Sequence, residues 1–232
     1  MAVPILLYHH IGMPPKAGIP GRSNYVTVKN FAKQMRVLKR LGFKGLSLRE
    51  AMPYIRGEKK DRVAAITFDD GFLSVYQDAM PILDELGFSA TNFFVSSHMG
   101  LDNSWDNERS ERNKIMTFDE MRDWAAHGHE VGGHTNDHLH LKDIPLEEAK
   151  RQIVENKQKL EEELGAPLVS FAYPFGDENE AIRKIVKAAG YHFAVTTIKS
   201  RARGNEGDYE LPRHSIRRND TILHFLAKCL LR

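Results

Sequence analysis

One local pattern recurs along this chain and narrows its fold more than any other feature. A helical segment with one apolar face ends in glycine, an aromatic residue or histidine follows, and a short apolar run begins. The pattern stands at Leu41-Gly42-Phe43, Leu86-Gly87-Phe88, His127-Gly128-His129 and Ala189-Gly190-Tyr191. Glycine just past a helix accepts the left-handed conformation that ends it, so each site reads as a helix giving way to a strand. Phe31, Met35, Leu38 and Leu41 fall at helical spacing, as do Val75, Ala79, Ile82, Leu83 and Leu86. Residues 145–164 place Leu146, Ala149, Ile153, Asn156 and Leu160 on one face. Between the helices lie runs of β-formers at 4–8, 63–68, 90–95, 130–133, 168–173 and 192–196. Strands alternating with helices predict an α/β fold, a parallel sheet with helices outside. Seven or so such units suit a barrel better than an open sheet, and place the chemistry at the carboxyl ends of the strands.

Length and composition set outer limits. The chain has 232 residues, suited to one domain spanning 1–232. Hydrophobic residues make up 41% and charged residues 28%, the balance of a soluble globular protein. Lys and Arg number 33 against 31 Asp and Glu, a net charge of +2, which argues against a dedicated nucleic-acid binder. Cys229 is the one cysteine, so no internal disulfide forms. The opening residues lack the basic and apolar regions of a signal peptide. If Met1 is the natural start, a cytoplasmic location is expected; a secreted form trimmed of its signal would look the same. No apolar stretch is long enough to span a membrane. The irregular stretches 12–24, 98–114 and 199–209 each follow a strand and are expected to overhang one face.

Three strand ends carry chemistry. Ile66-Thr67-Phe68-Asp69-Asp70-Gly71 sets two carboxylates side by side, an arrangement that repels unless a cation or proton relieves it. Taken alone, it reads equally well as a turn with Asp69 as a helix cap. His134-Thr135-Asn136-Asp137-His138 spaces two histidines so that they converge on one ion if the segment turns helically. Imidazole with carboxylate suits zinc, cobalt or nickel. The chain has 11 histidines, however, and spacing alone also fits ordinary surface residues. Phe171-Ala172-Tyr173-Pro174-Phe175-Gly176 is a tight turn able to present an N–H outward.

In this order, Thr-Phe-Asp-Asp-Gly, His-Thr-x-x-His and the aromatic-Pro-aromatic-Gly turn resemble the polysaccharide deacetylases of carbohydrate esterase family four. The opening Leu7-Tyr8-His9-His10-Ile11 and the Phe-x-Tyr-Pro-aromatic-Gly form of the turn resemble the branch of the poly-β-1,6-N-acetylglucosamine deacetylases. With Leu211-Pro212-Arg213, the resemblance covers most of the chain. It implies an irregular (β/α)7 barrel and metal-dependent removal of N-acetyl groups from a carbohydrate. Asp69 would be the general base. Asp70, His134 and His138 would bind a divalent metal, usually Zn2+, with Co2+ or Ni2+ as alternatives. The N–H of Phe175, in the turn with Tyr173, would help hold the oxyanion. Ala172 departs from the arginine that many members place in this turn, and Arg213 is the candidate replacement. Many members also use a late Leu-x-His motif for the general acid; the branch resembled here points to His9, with His10 and His214 as competitors. A raised pKa is expected for His9.

The substrate is less constrained. Trp105 is a candidate for stacking on a sugar ring, against the plainer reading that it packs under its own loop. An N-acetylglucosamine-containing polysaccharide or a lipid-linked glycan fits the resemblance. Residues 221–232 place Ile222, Leu223, Phe225, Leu226, Cys229 and Leu230 broadly on one face, which reads as a core helix or as peripheral membrane contact. A metal-dependent hydrolase of another amide or ester is the main rival, since fold and ligands do not choose the acyl group. A carbohydrate-binding module derived from an esterase would be expected to lack Asp69 or a ligand, and all are present.

Overall fold

The computed structural model describes residues 2–231. The apolar runs pair side by side as parallel strands: β1 (Ile5–Tyr8), β4 (Lys44–Leu46), β5 (Val63–Phe68), β6 (Thr91–Phe94), β7 (Glu130–Gly133), β8 (Ser170–Ala172), β9 (Phe193–Val195) and β10 (His214–Ser215). Seven of them follow in the order β10-β1-β5-β6-β7-β8-β9, while β4 pairs with the first half of β5. Two short strands, β2 (His10–Ile11) and β3 (Tyr25–Val26), form a separate ribbon above β1. The expected strands are all present, shortened by one or two residues at most ends.

Between them run α1 (Val28–Arg40), α2 (Leu48–Ile55), α3 (Met80–Leu86), α4 (Phe118–Ala126), α5 (Leu146–Leu164), α6 (Glu180–Ala188) and, last, α7 (Ile222–Leu230). Their starts are written in the sequence. Ser47 with Glu50 and Thr117 with Glu120 close reciprocal caps on α2 and α4, satisfying donors that a helix start leaves open. Their ends are too: Gly42, Gly87, Gly128 and Gly190 all take φ between 62° and 87°. One helix differs from its expected form, because Val75–Ala79 is a π-helical turn that leads into α3.

Alternation along the strands makes two cores. On β5, Ala64, Ile66 and Phe68 point outward to meet α1, α3 and α4 through Phe31, Leu83 and Trp124. Val63 and Ala65 point inward, with Ile5, Phe93, Ala172, Val195 and Leu211. By the same alternation Thr67 and Asp69 continue the inward row toward the carboxyl end of the barrel.

Three expectations change. Leu146, placed on the apolar face of α5, is 52% exposed because it sits at the helix start, beyond the sheet. On α7 only Phe225 and Cys229 are fully buried, and Leu223 and Leu230 face outward at 75% and 42% exposure. Residues 199–209 do not overhang the same face as the other two loops. The chain descends from the end of β9, pairs Ala202 antiparallel with Val3 at the start of β1, and then climbs again. Leu211 bonds beside Val195 and His214 beside Leu6, so this returning segment joins the two ends of the sheet. Among the described residues no helix is long and apolar enough to cross a membrane.

Candidate active site

The inward row of β5 and the returning segment meet at Asp69 and Arg213. The guanidinium of Arg213 is fully buried and forms a two-armed pair, Nη1 to Asp69 Oδ1 and Nη2 to Asp69 Oδ2, both 2.7 Å. Two further donors are engaged: Nε donates to the Thr196 carbonyl at 2.9 Å, and Nη1 also reaches Thr67 Oγ1 at 3.2 Å. Burial alone would raise the pKa of Asp69, but Arg213, His134 and His9 outweigh it and hold the carboxyl below its usual range. Ala172 leaves room in the inner core, and Arg213 lies over the Phe93 ring there.

Asp70 turns the other way because its backbone is left-handed, φ 77°, and Gly71 follows at φ 74°. A Cβ on Gly71 would sit 2.7 Å from Phe94 Cδ1, so only glycine fits. Asp70 Oδ1 lies 3.3 Å from His134 Nε2 and 3.2 Å from His138 Nε2. All three residues are buried, and their facing atoms lie within 4.8 Å of one another. His134 Nδ1 stands 2.7 Å from the Ala172 carbonyl, which can only accept, so this nitrogen carries the proton and Nε2 presents a lone pair. Asp70 Oδ1 is buried and makes no hydrogen bond. A buried carboxylate oxygen facing two imidazoles without a hydrogen bond is the environment that a cation satisfies. The residues therefore fit a divalent metal. Burial would raise the Asp70 carboxyl, but its pairing with His134 and His138 pulls it well below the usual range. Burial would lower His134, but Asp70 and Asp69 raise it.

The two histidines do not converge through a helical turn. Residues 134–138 form a loop in which Thr135 and His138 are left-handed, at φ 66° and 56°. α5 holds the loop: Asn156 Nδ2 donates to the Thr135 carbonyl at 2.6 Å, and the Asp137 N–H donates to Gln152 Oε1 at 2.8 Å. Phe175, at φ 59°, completes the set of non-glycine residues with positive φ among those described. Three of the four, Asp70, His138 and Phe175, line one cleft, and Thr135 is buried in the loop between its two histidines. Strain of this kind persists only where surrounding structure imposes it, and it gathers at functional sites.

That cleft, of about 270 Å3, is lined by His9, Asp69, Asp70, His134, His138 and Phe175, with Asp106 and Asn24 from the overhanging loops. Both His9 and His10 reach its wall, because β1 stops at Tyr8 and strict alternation does not run through His9. His10 is wedged between the Tyr25 and Phe72 rings at 4.1 and 3.7 Å, and burial pushes its pKa down to about 3. The expected raised pKa of His9 is corrected: burial lowers it and outweighs the help of Asp70 and Asp69. His214 is removed from the cleft, since it points from β10 toward α7 and lines a different cavity. Tyr173 is removed as well. It is fully buried, packs on Phe171, and donates its hydroxyl to the Tyr209 carbonyl at 2.9 Å. Trp105 neither hides under its own loop nor stands free; its ring stacks on His138 at 5.0 Å. Motif spacing gave no sign of Asp106, whose burial in the cleft raises its carboxyl pKa. It arrives on a loop that no periodicity marks.

A family model described as polysaccharide deacetylase matches residues 56–194 of this chain. The chain belongs to the polysaccharide deacetylase family. YxkH of Bacillus subtilis, named for the same family, is 30% identical over 213 residues, covering 91% of this chain and 70% of that protein. A poly-β-1,6-N-acetyl-D-glucosamine N-deacetylase of Staphylococcus aureus is 26% identical over 215 residues, 88% and 72% of the two chains. In fold, the deacetylase PplD of Streptococcus pyogenes superposes with a TM-score of 0.85 at 23% identity, over 99% of this chain and 98% of that one. Asp69, Asp70, His134, His138 and Phe175 lie inside the stretch that matches the family model, whereas His9 and Arg213 lie outside it.

Proposed function

We propose that this family member removes N-acetyl groups from an N-acetylglucosamine-containing polysaccharide or lipid-linked glycan, releasing acetate by metal-dependent hydrolysis. One observation carries the reading: a buried Asp70–His134–His138 cluster stands directly beside a carboxylate, Asp69, clamped by a buried arginine. Asp70, His134 and His138 would hold a divalent cation, zinc in the simplest case, which would supply Lewis-acid polarisation of the acetyl carbonyl and acidify water. Asp69 accepts the proton of the attacking water. Arg213 keeps that carboxyl ionised, so a base is ready at neutral pH. The N–H of Phe175 donates to the oxyanion, with the left-handed turn fixing its direction. His9, on the cleft wall, protonates the departing amine; burial lowers its pKa, so its charged form is scarce at rest but a strong proton donor once formed. The names of the Staphylococcus aureus relatives support the sugar chosen.

The test is acetate release from β-1,6- and β-1,4-linked N-acetylglucosamine oligomers, measured before and after complete metal removal and again after zinc is restored. Release that stops on chelation and returns with zinc is expected. Release unchanged in metal-free protein would overturn the metal dependence. Hydrolysis of simple acyl esters with none of any N-acetylated glycan would overturn the substrate.

A further inference from the structure

Beside the cleft, between β10 and α7, lies a second cavity of about 490 Å3. Its walls carry Lys199, Arg217, Lys228, His214 and His224 against a single carboxylate, Asp220. Asp220 is already committed: its Oδ2 accepts from the Arg217 backbone N–H at 2.7 Å and from Lys228 Nζ. Lys228 is thereby neutralised. Lys199 and the Arg217 guanidinium pair with no carboxylate among the described residues. Arg217 is nonetheless positioned, since its Nη1 donates to the neutral acceptors Asn24 Oδ1 and Ser23 Oγ. A positioned guanidinium and an exposed ammonium over one cavity, whose single carboxylate is already bonded to Lys228, form a site for an anion.

The cavity and the cleft have no lining residue in common, but one side-chain contact, Arg217 to Asn24, joins their walls. Asn24, which holds Arg217, lines the cleft with His9. Thr197 lines the cleft, and Lys199, two residues on, lines the cavity. A group in the basic cavity therefore sits next to a sugar in the cleft. Two cations without a carboxylate partner suit the two charges of a phosphate monoester better than the single charge of a uronic acid.

We infer that the substrate is an anionic glycan, and that Lys199 and Arg217 bind a phosphate ester borne next to the acetylated sugar. This deepens the proposed function and rests on its placement of the acetylated sugar in the cleft. It is tested by calorimetric titration of the Asp69→Asn protein with N-acetylglucosamine 1-phosphate and with N-acetylglucosamine, which reads binding without turnover. The phosphate is expected to tighten binding about tenfold at low salt, an advantage that shrinks as salt rises. In a Lys199→Ala/Arg217→Gln background the two sugars should bind alike. Lys199→Glu, at an exposed side chain, checks the same point should the double variant fold poorly, and it should reverse the preference. Turnover then compares kcat/KM on a matched pair of N-acetylglucosamine oligomers, with and without the phosphate. If neither oligomer is deacetylated, the proposed function fails while the titration still decides the phosphate site. Equal binding of both sugars to the parent protein overturns the inference. So does a phosphate preference that both variants retain. Equal sugar binding with salt-sensitive sedimentation on phosphatidylglycerol vesicles, lost in Lys199→Glu, would assign the cavity to a membrane surface instead.

Discussion

Two clusters in this molecule have the composition of a metal site, and they could hardly differ more in setting. Asp70, His134 and His138 are buried at the carboxyl ends of β5 and β7, on a backbone bent into left-handed conformations at two of the three. His140, Asp143 and Asp177 stand at the rim, exposed or half-exposed. In the rim cluster two of the three residues are already paired: His140 Nδ1 with Asp177 Oδ2 at 2.6 Å, while Lys142 reaches Asp177 Oδ1 at 3.3 Å. The His140 ring stacks flat on Phe175 at 3.7 Å. In the buried cluster Asp70 Oδ1 and His138 Nδ1 have no hydrogen-bond partner. Ligand-type residues near one another are common; a desolvated cluster left electrostatically incomplete is not.

The sharpest way to break this comparison is to delete ligands from each cluster. His134→Ala, His138→Ala or Asp70→Asn should leave about a tenth or less of the parent metal content at equal protein, with activity lost. His140→Ala should keep its metal. Metal analysis on purified variants decides it, and full occupancy in His138→Ala together with loss in His140→Ala would reverse the assignment.

Asp69→Asn comes next. The amide keeps the shape of the carboxyl but accepts no proton, so near-normal metal content with kcat lower by about 10² to 10⁴ is expected. Loss of metal along with activity would move Asp69 into the ligand set.

His9→Ala should retain metal and lose about 10² in kcat on an N-acetyl amide, but far less on an aryl acetate, whose phenolate leaves without a proton. Equal loss on both substrates would show that His9 shapes the cleft and does not act as the acid. His10, wedged between two rings with its pKa near 3, is not expected to give the selective loss.

The smallest effect is a shift. Arg213 favours the charged form of Asp69, so Arg213→Met should raise the pKa of that carboxyl. A base whose pKa rises is protonated at higher pH, so the acidic limb of the pH–rate profile should move upward. An unmoved limb would assign Arg213 to closing the barrel alone.

Much of this is legible in the amino-acid sequence itself. The four helix-ending glycines adopt the left-handed conformation their position demands, and the strands of β-formers pair in parallel where the alternation with helices placed them. Local signals suffice for these, because caps, glycine stops and periodicity act within a few residues. The order of the three motifs carried the family resemblance on the same basis. Long-range closure is different. Arg213 lies 144 residues from Asp69, and only a chain that runs down beside Val3 and up between β9 and β1 brings them together. The composition of 199–209 shows no sign of that excursion. The partition of the histidines was equally out of reach. His9, His10 and His214 are alike in a sequence, and burial, two aromatic rings and the opposite side of a strand separated them. Side-chain direction at the end of a strand depends on where pairing stops, and pairing is a property of the whole sheet.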